Sequence, residues 1–255
     1  MKAHTFCAAI LAALTTLGGG SAHALAPATV DFSHDMQGWK GGGAAGVPSS
    51  GIDAALGNGS NALHIDGAAS SFELSTRTNA SFLGDYSAMK SFTFSLDISV
   101  AEIADGFPGG WPMRQQLILE LRDHDKPGDV TAYSSVWYSL GVIGDGLPAD
   151  QHLSVTVLDT SSGTLPAGWN GYGAFDQNYE SHLPYGQSFA RILKDVDEMA
   201  IVSMRPDSVQ GTVIYYNLAI DNIKVSAVPE PASYSMLLAG LGLLGWAARR
   251  RVVQQ

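Results

Sequence analysis

From Phe92 to Val100 apolar and polar residues alternate without a break: Phe92, Phe94, Leu96, Ile98 and Val100 against Thr93, Ser95, Asp97 and Ser99. A period of two puts every apolar side chain on one face of a β-strand and every polar one on the other. Such a strand must bury one face against a second layer, and a sheet with one wet face is antiparallel. The pattern recurs at Leu117, Leu119 and Leu121, at Leu153, Val155 and Val157, and at Val213 and Tyr215. Ala28 to Phe32, Asn61 to Asp66, Ser71 to Ser75, Met199 to Met204 and Leu218 to Val225 are further strand candidates. Val130 to Leu140 reads as a long strand containing Val136 and Trp137. Turn clusters separate these runs: Gly41-Gly42-Gly43, Gly57-Asn58-Gly59, Asp123 to Asp129 and Gly144-Asp145-Gly146. Only Gln187 to Val196 reads helical, with Phe189, Ile192 and Leu193 on one face. Many strands and few helices predict an all-β fold, an antiparallel β-sandwich over residues 28–226.

The ends read differently. Lys2 precedes an apolar stretch, Phe6 to Leu17, and Ser21-Ala22-His23-Ala24 places small residues before a cleavage point at Ala24. Residues 1–24 are therefore expected to be a secretory signal peptide, which implies the Sec translocon and signal peptidase as partners. The only cysteine, Cys7, lies inside that apolar stretch, so disulfide, thiol and zinc–sulfur chemistry are excluded for the exported chain. The chain has 14 Lys+Arg and 24 Asp+Glu. Without Lys2 and the three tail arginines ten basic residues remain, and without Glu230 twenty-three acidic ones, so the central segment stands near −13. That charge argues against nucleic acid and anionic lipid as partners.

At the other end, Val228-Pro229-Glu230-Pro231 leads into an uncharged apolar run, Tyr234 to Ala248, which stops on Arg249, Arg250 and Arg251. The two prolines hold the triplet extended. The run is shorter than the roughly 20 residues of a comfortable span, and Trp246 with snorkelling arginines extends its reach. It is expected to be a single transmembrane helix, 234–248, with the arginines on the cytoplasmic side. Residues 228–251 resemble the PEP-CTERM sorting signal of Gram-negative, exopolysaccharide-making bacteria, with Pro229, Glu230 and Pro231 as the motif. The resemblance implies recognition by an exosortase. It also implies transient anchoring in the inner membrane, then passage to the cell surface or the medium.

The central segment resembles the laminin B (laminin IV type A) domain, a jelly-roll relative of carbohydrate-binding modules. The resemblance rests on Asp31-Phe32, Gln37-Gly38-Trp39, Phe82-Leu83-Gly84-Asp85-Tyr86-Ser87 and Ile220-Asp221-Asn222-Ile223. It implies that the first and last strands lie side by side. Related modules bind a structural Ca²⁺ at that seam, which nominates Asp31 and Asp221 as ligands. Ile220 and Ile223 have odd spacing, so a bulge at Asp221-Asn222 is expected if both face the core. Trp39 and Trp137 are expected in the core. Trp169, Tyr172, Tyr179 and Tyr185 fall in one polar stretch, read either as a stacking platform for sugar rings or as caps on the core.

Catalytic signatures are missing. His34, His64, His124, His152 and His182 are scattered, with no H-E-x-x-H or G-x-S-x-G spacing. The sequence thus describes an exported, sorted, non-enzymatic binding or matrix protein associated with exopolysaccharide. The alternative is a secreted glycan-active enzyme of sandwich fold.

Overall fold

A computed structural model describes residues 27–42, 49–53, 61–125, 127–128, 131–208 and 211–228. One antiparallel sheet, sheet A, holds β3 (Ser49–Asp53), β4 (Ala62–Ala69), β14 (Ile214–Ala227), β6 (Phe92–Asp105) and β9 (Asp150–Val157) in that order, with β1 (Ala28–Val30) also on β14. The other, sheet B, runs β10 (Trp169–Tyr172), β8 (Ser134–Gly144), β7 (Arg114–Asp123), β13 (Glu198–Val202), β5 (Glu73–Thr76), β2 (Trp39–Gly42). A two-stranded ribbon, β11 (Ala174–Phe175) with β12 (Ser181–His182), follows β10. The inward faces of both sheets join in one core that includes Phe94, Leu96, Leu119, Leu121, Val136, Ile201, Tyr216 and Leu218.

The alternation at Phe92–Val100 becomes a 14-residue strand. Its register to β14 slips near Asn217/Leu218 and again between Asp221 and Lys224. The second slip inserts one extra residue into β14 at Asn222, whose φ is +51°. Tyr216, Leu218 and Ile220 face the core before it, and Ile223 and Val225 after it. The first and last strands are neighbours, with Val30 opposite Ile223. The two stretches read as Val213–Tyr215 and Leu218–Val225 are thus one strand, and Val213 lies outside it, about half exposed.

Two readings change. Gly41 and Gly42 are not turn residues; they pair with Leu74 and Glu73 as the end of β2. The helix is shorter than its sequence pattern. α1 (Phe189–Leu193) starts on Ser188, whose hydroxyl accepts the Arg191 N–H, and seats Phe189, Ile192 and Leu193 in the core. The signal peptide, 1–24, the helix 234–248, and Pro229, Glu230, Pro231, Arg249, Arg250 and Arg251 lie outside the described residues. Among the described residues no helix is long and apolar enough to cross a membrane.

Candidate functional site

On β7, Leu117, Leu119 and Leu121 point into the core, so Ile118, Glu120 and Arg122 point outward. Register then sets the outer face of sheet B. Trp137, Glu120, Ala200 and Ser75 lie in one row across the strands, and Ser135, Arg122 and Glu198 in the next. A solvated face would leave these side chains wet. Instead Glu120 is 1% exposed, Glu198 3% and Arg122 7%.

Arg122 organises the row. Its Nε and Nη2 donate to Glu120 Oε2 at 2.9 and 2.6 Å. Its Nη1 and Nη2 donate to the two oxygens of Glu73 at 3.1 and 2.9 Å. Nη1 also stands 3.4 Å from Glu198. Ser135 donates to the other Glu120 oxygen at 2.6 Å. Arg77 donates to Glu198 Oε2 at 2.9 Å, and His124 Nε2 lies at the same distance from that oxygen. Burial works against the Arg122 charge, but Glu120 and Glu73 outweigh it and hold the guanidinium protonated. Burial also raises the Glu198 carboxyl, yet Arg77, Arg122 and His124 together bring it down to about 2.

Aromatic rings flank this network. The Arg122 guanidinium stands 4.9 Å from the Tyr133 ring centroid. From Tyr133 a row continues to Tyr172 at 5.7 Å and to Phe175 at 5.9 Å, with His124 at 5.2 Å on the other side. Burial, then the Glu120 charge, raises both the Tyr133 and the Tyr172 hydroxyl, so both stay protonated donors. Beside the row, Ile118, Trp137, Ala200 and Val202 form a second, outer apolar cluster against Tyr172. Arg205 covers Trp137 at 5.7 Å. Trp137 Nε1 is buried and, among the described residues, meets no acceptor.

The buried network is closed on itself, Glu120, Arg122 and Glu198 being bonded within the sheet; beside it the Tyr133 and Tyr172 rings are partly buried and Phe175 is exposed. The Asp31, Asp159, Asp176 and Glu198 carboxyl groups are displaced downward.

The expected stacking platform does not form as one surface. Trp169 is 6% exposed, a core residue 5.1 Å from Phe189 and 5.5 Å from Tyr138. It therefore cannot stack on a ligand. Tyr172, three residues on, faces outward and joins the row above. Tyr179 and Tyr185 are exposed at 87% and 105%, in the connection around β12. Trp39 is in the core, as expected, while Trp137 is buried in the outer cluster instead.

Asp31 and Asp221 fall where the first strand leaves the last. Asp31 Oδ1 accepts the Ser33 N–H at 3.1 Å, the Ser33 hydroxyl at 2.8 Å and Gln37 Nε2 at 3.2 Å. Those bonds, the Ser33 N–H first, hold its carboxyl below the usual range. Asp221 Oδ1 accepts the Asn222 N–H at 2.7 Å. Nearby, Asp97 meets His152 Nδ1 at 2.6 Å and accepts Asn222 Nδ2 at 2.8 Å. Among the described residues no three acidic, histidine or cysteine side chains converge as a metal cage.

Sequence reasoning missed Glu73, Glu120, Arg122, Glu198 and Tyr133. In sequence Glu120 and Arg122 are the wet half of an alternation, and only strand register brings them to Glu73 and Glu198.

Residues 227–251 match the PEP-CTERM protein-sorting motif. No curated protein matches the chain. Among solved structures, the CBM22-1–GH10 modules of the Clostridium thermocellum endo-1,4-beta-D-xylanase 10B, complexed with xylohexaose, are 8% identical, with 78% of this chain and 28% of that one covered and a TM-score of 0.43. An exo-beta-agarase is 13% identical over 79% and 25%, with a TM-score of 0.42. The CBM22-2 xylan-binding domain of Paenibacillus barcinonensis Xyn10C is 9% identical over 79% and 99%, with a TM-score of 0.41. The chain thus spans about a quarter of the length of the xylanase and agarase chains.

Proposed function

We propose that this chain is a PEP-CTERM-sorted surface protein whose sandwich binds polysaccharide on the outer face of sheet B, without catalysing its breakdown. One observation carries the reading: a sheet face that should be solvated instead buries Glu120, Glu198 and Arg122 beside the Tyr133–Tyr172–Phe175 row. Burying such a network costs desolvation that its own bonds only partly return. What it does is fix the rings beside it, Tyr133 through the Arg122 guanidinium and Tyr172 through Tyr133, and the open parts of those rings are what the C–H face of a sugar stacks on. Laminin-B-like architecture, export by Sec, exosortase processing and a structural Ca²⁺ on Asp31 and Asp221 belong to the same proposal.

The test is retention of the exported protein on immobilised polysaccharides. Tyr172→Ala should lower retention about tenfold, the loss of one stacking contact of about 1.4 kcal/mol, while Tyr185→Ala should not. Equal retention of the Tyr172→Ala, Tyr133→Ala and unaltered proteins would remove the face from the reading. Release of reducing ends by the protein, abolished by one Asp or Glu substitution, would favour the enzyme instead. For sorting, Glu230→Ala should keep the full-length chain in the inner membrane, and its normal release would refute exosortase processing.

A further inference from the structure

β6 and β14 run antiparallel for their whole length, Phe92 opposite Ala227 and Asp105 opposite Ile214. The sorting segment therefore leaves from one pole, where the Val228 N–H donates to the Ser91 carbonyl at 3.2 Å. A 14-residue strand is about 46 Å long at 3.3 Å per residue. At the far pole lies the β6–β7 connection, Gly106 to Met113. Phe107 is 65% exposed there and Trp111 82%.

This connection is a built hairpin. The Asp105 N–H donates to the Trp111 carbonyl and the Met113 N–H to the Ile103 carbonyl, both at 2.9 Å. The Gly110 N–H closes on the Phe107 carbonyl at 3.0 Å, and the Gly109 N–H donates to Glu102 Oε1 at 2.6 Å. Gly109 has φ +77°, and a side chain on Gly110 would collide with the Asp105 carbonyl. Gly106 ties Val213, itself 48% exposed, to the hairpin base at 2.9 Å. Among the described residues neither ring packs on another aromatic ring. At the base of the hairpin a recess of about 270 Å³ is lined by Glu102, Ile103, Pro112, Asp145 and Leu147.

We propose that the Phe107–Trp111 hairpin is a second polysaccharide contact, at the pole facing away from the sorting end, and that it takes an uncharged chain. It rests on the carbohydrate reading above but on different residues. Whole aromatic side chains bury about 150–250 Å² each, so two partly exposed rings with Val213 offer on the order of 400 Å². That is half the roughly 800 Å² per partner of a stable protein interface, but it is enough for ring stacking. Glu102, Asp105 and Asp145 are bonded to the backbone of the hairpin and its base, on a segment near −13, which repels acidic chains and anionic lipid.

The test compares the exported protein with Trp111→Ala, Phe107→Ala and Gly110→Ala on agarose, laminarin and mannan, and on anionic alginate and polygalacturonate. Trp111→Ala should lower retention about tenfold on an uncharged polymer that holds the unaltered protein. Its Tm should stay within about 2 °C, because the ring is uncovered. Gly110→Ala should lose retention with both rings present. Retention indifferent to Trp111 and Phe107 but sensitive to Tyr172 would overturn this proposal and leave the sheet face standing. Retention only on the anionic polymers would overturn it. So would a change of oligomeric state, or of binding to anionic phospholipid vesicles, in place of a polysaccharide effect. No retention on any polymer would end both readings.

Discussion

Trp169 and Tyr172 stand three residues apart on one short strand, and the odd spacing sends them to opposite faces. Trp169→Ala should therefore cost about 3–5 kcal/mol in thermal or denaturant unfolding, the range for emptying a core aromatic site. A loss below about 1 kcal/mol would mean the ring does not fill the core. Glu198 is argued from ionisation. Its folded carboxyl titrates near 2, below the ordinary 4.5. The group stabilises the fold above the unfolded value, and that contribution is lost as pH falls from about 4.5 to 2. It is on the order of 3 kcal/mol. Acid titration of stability should show this drop, and Glu198→Gln should flatten it. An unchanged slope in that variant would show that Glu198 is not the group responsible.

At the scale of elements, β14 joins two stretches that look separate in sequence, because a bulge at Asn222 swaps which parity faces the core. The odd spacing of Ile220 and Ile223 already asked for such a bulge. Asn222 sits at φ +51°, where a β-branched residue costs about 1–2 kcal/mol. Asn222→Val should lose at least that much, while Asn222→Gly should stay within about 0.5 kcal/mol, exchanging the Asp97 bond for relief of strain. Equal losses in unfolding measurements would mean that the bond to Asp97, not the backbone, holds the bulge. β10 escaped the sequence reading because WNGY is short and glycine-broken. Its partner across the sheet, Trp137 to Asn170, identifies it only in three dimensions.

At the scale of the molecule, the central segment, residues 28–226, is near −13 with no cysteine, and its two ends meet at β1 and β14. A Ca²⁺ at Asp31 and Asp221 would tie that seam. A ligand that binds only the folded state adds about 2.7 kcal/mol at a hundredfold excess over Kd. The protein should then melt several degrees higher in millimolar calcium than in chelator, and Asp221→Asn should abolish the difference. Identical melting in both would strike calcium from the proposal. The pole geometry adds a functional constraint: the sorting segment begins on the sheet itself, at Val228, so the far hairpin points away from the sorting end.

What the sequence alone determined is local. Alternation and turn chemistry act over a few residues, so the all-β fold and the long central strands could be read directly, while the sorting segment came from its resemblance to the PEP-CTERM signal, whose motif residues 227–251 match. The adjacency of first and last strands came from resemblance, and the structure shows it. Tertiary structure alone decided which polar residues are buried. Glu73, Glu120, Arg122 and Glu198 come from three strands as far as 125 positions apart, and strand register brings them together. Period two says that Glu120 faces away from the core. Whether that face meets water or a buried arginine depends on neighbours that no local pattern names.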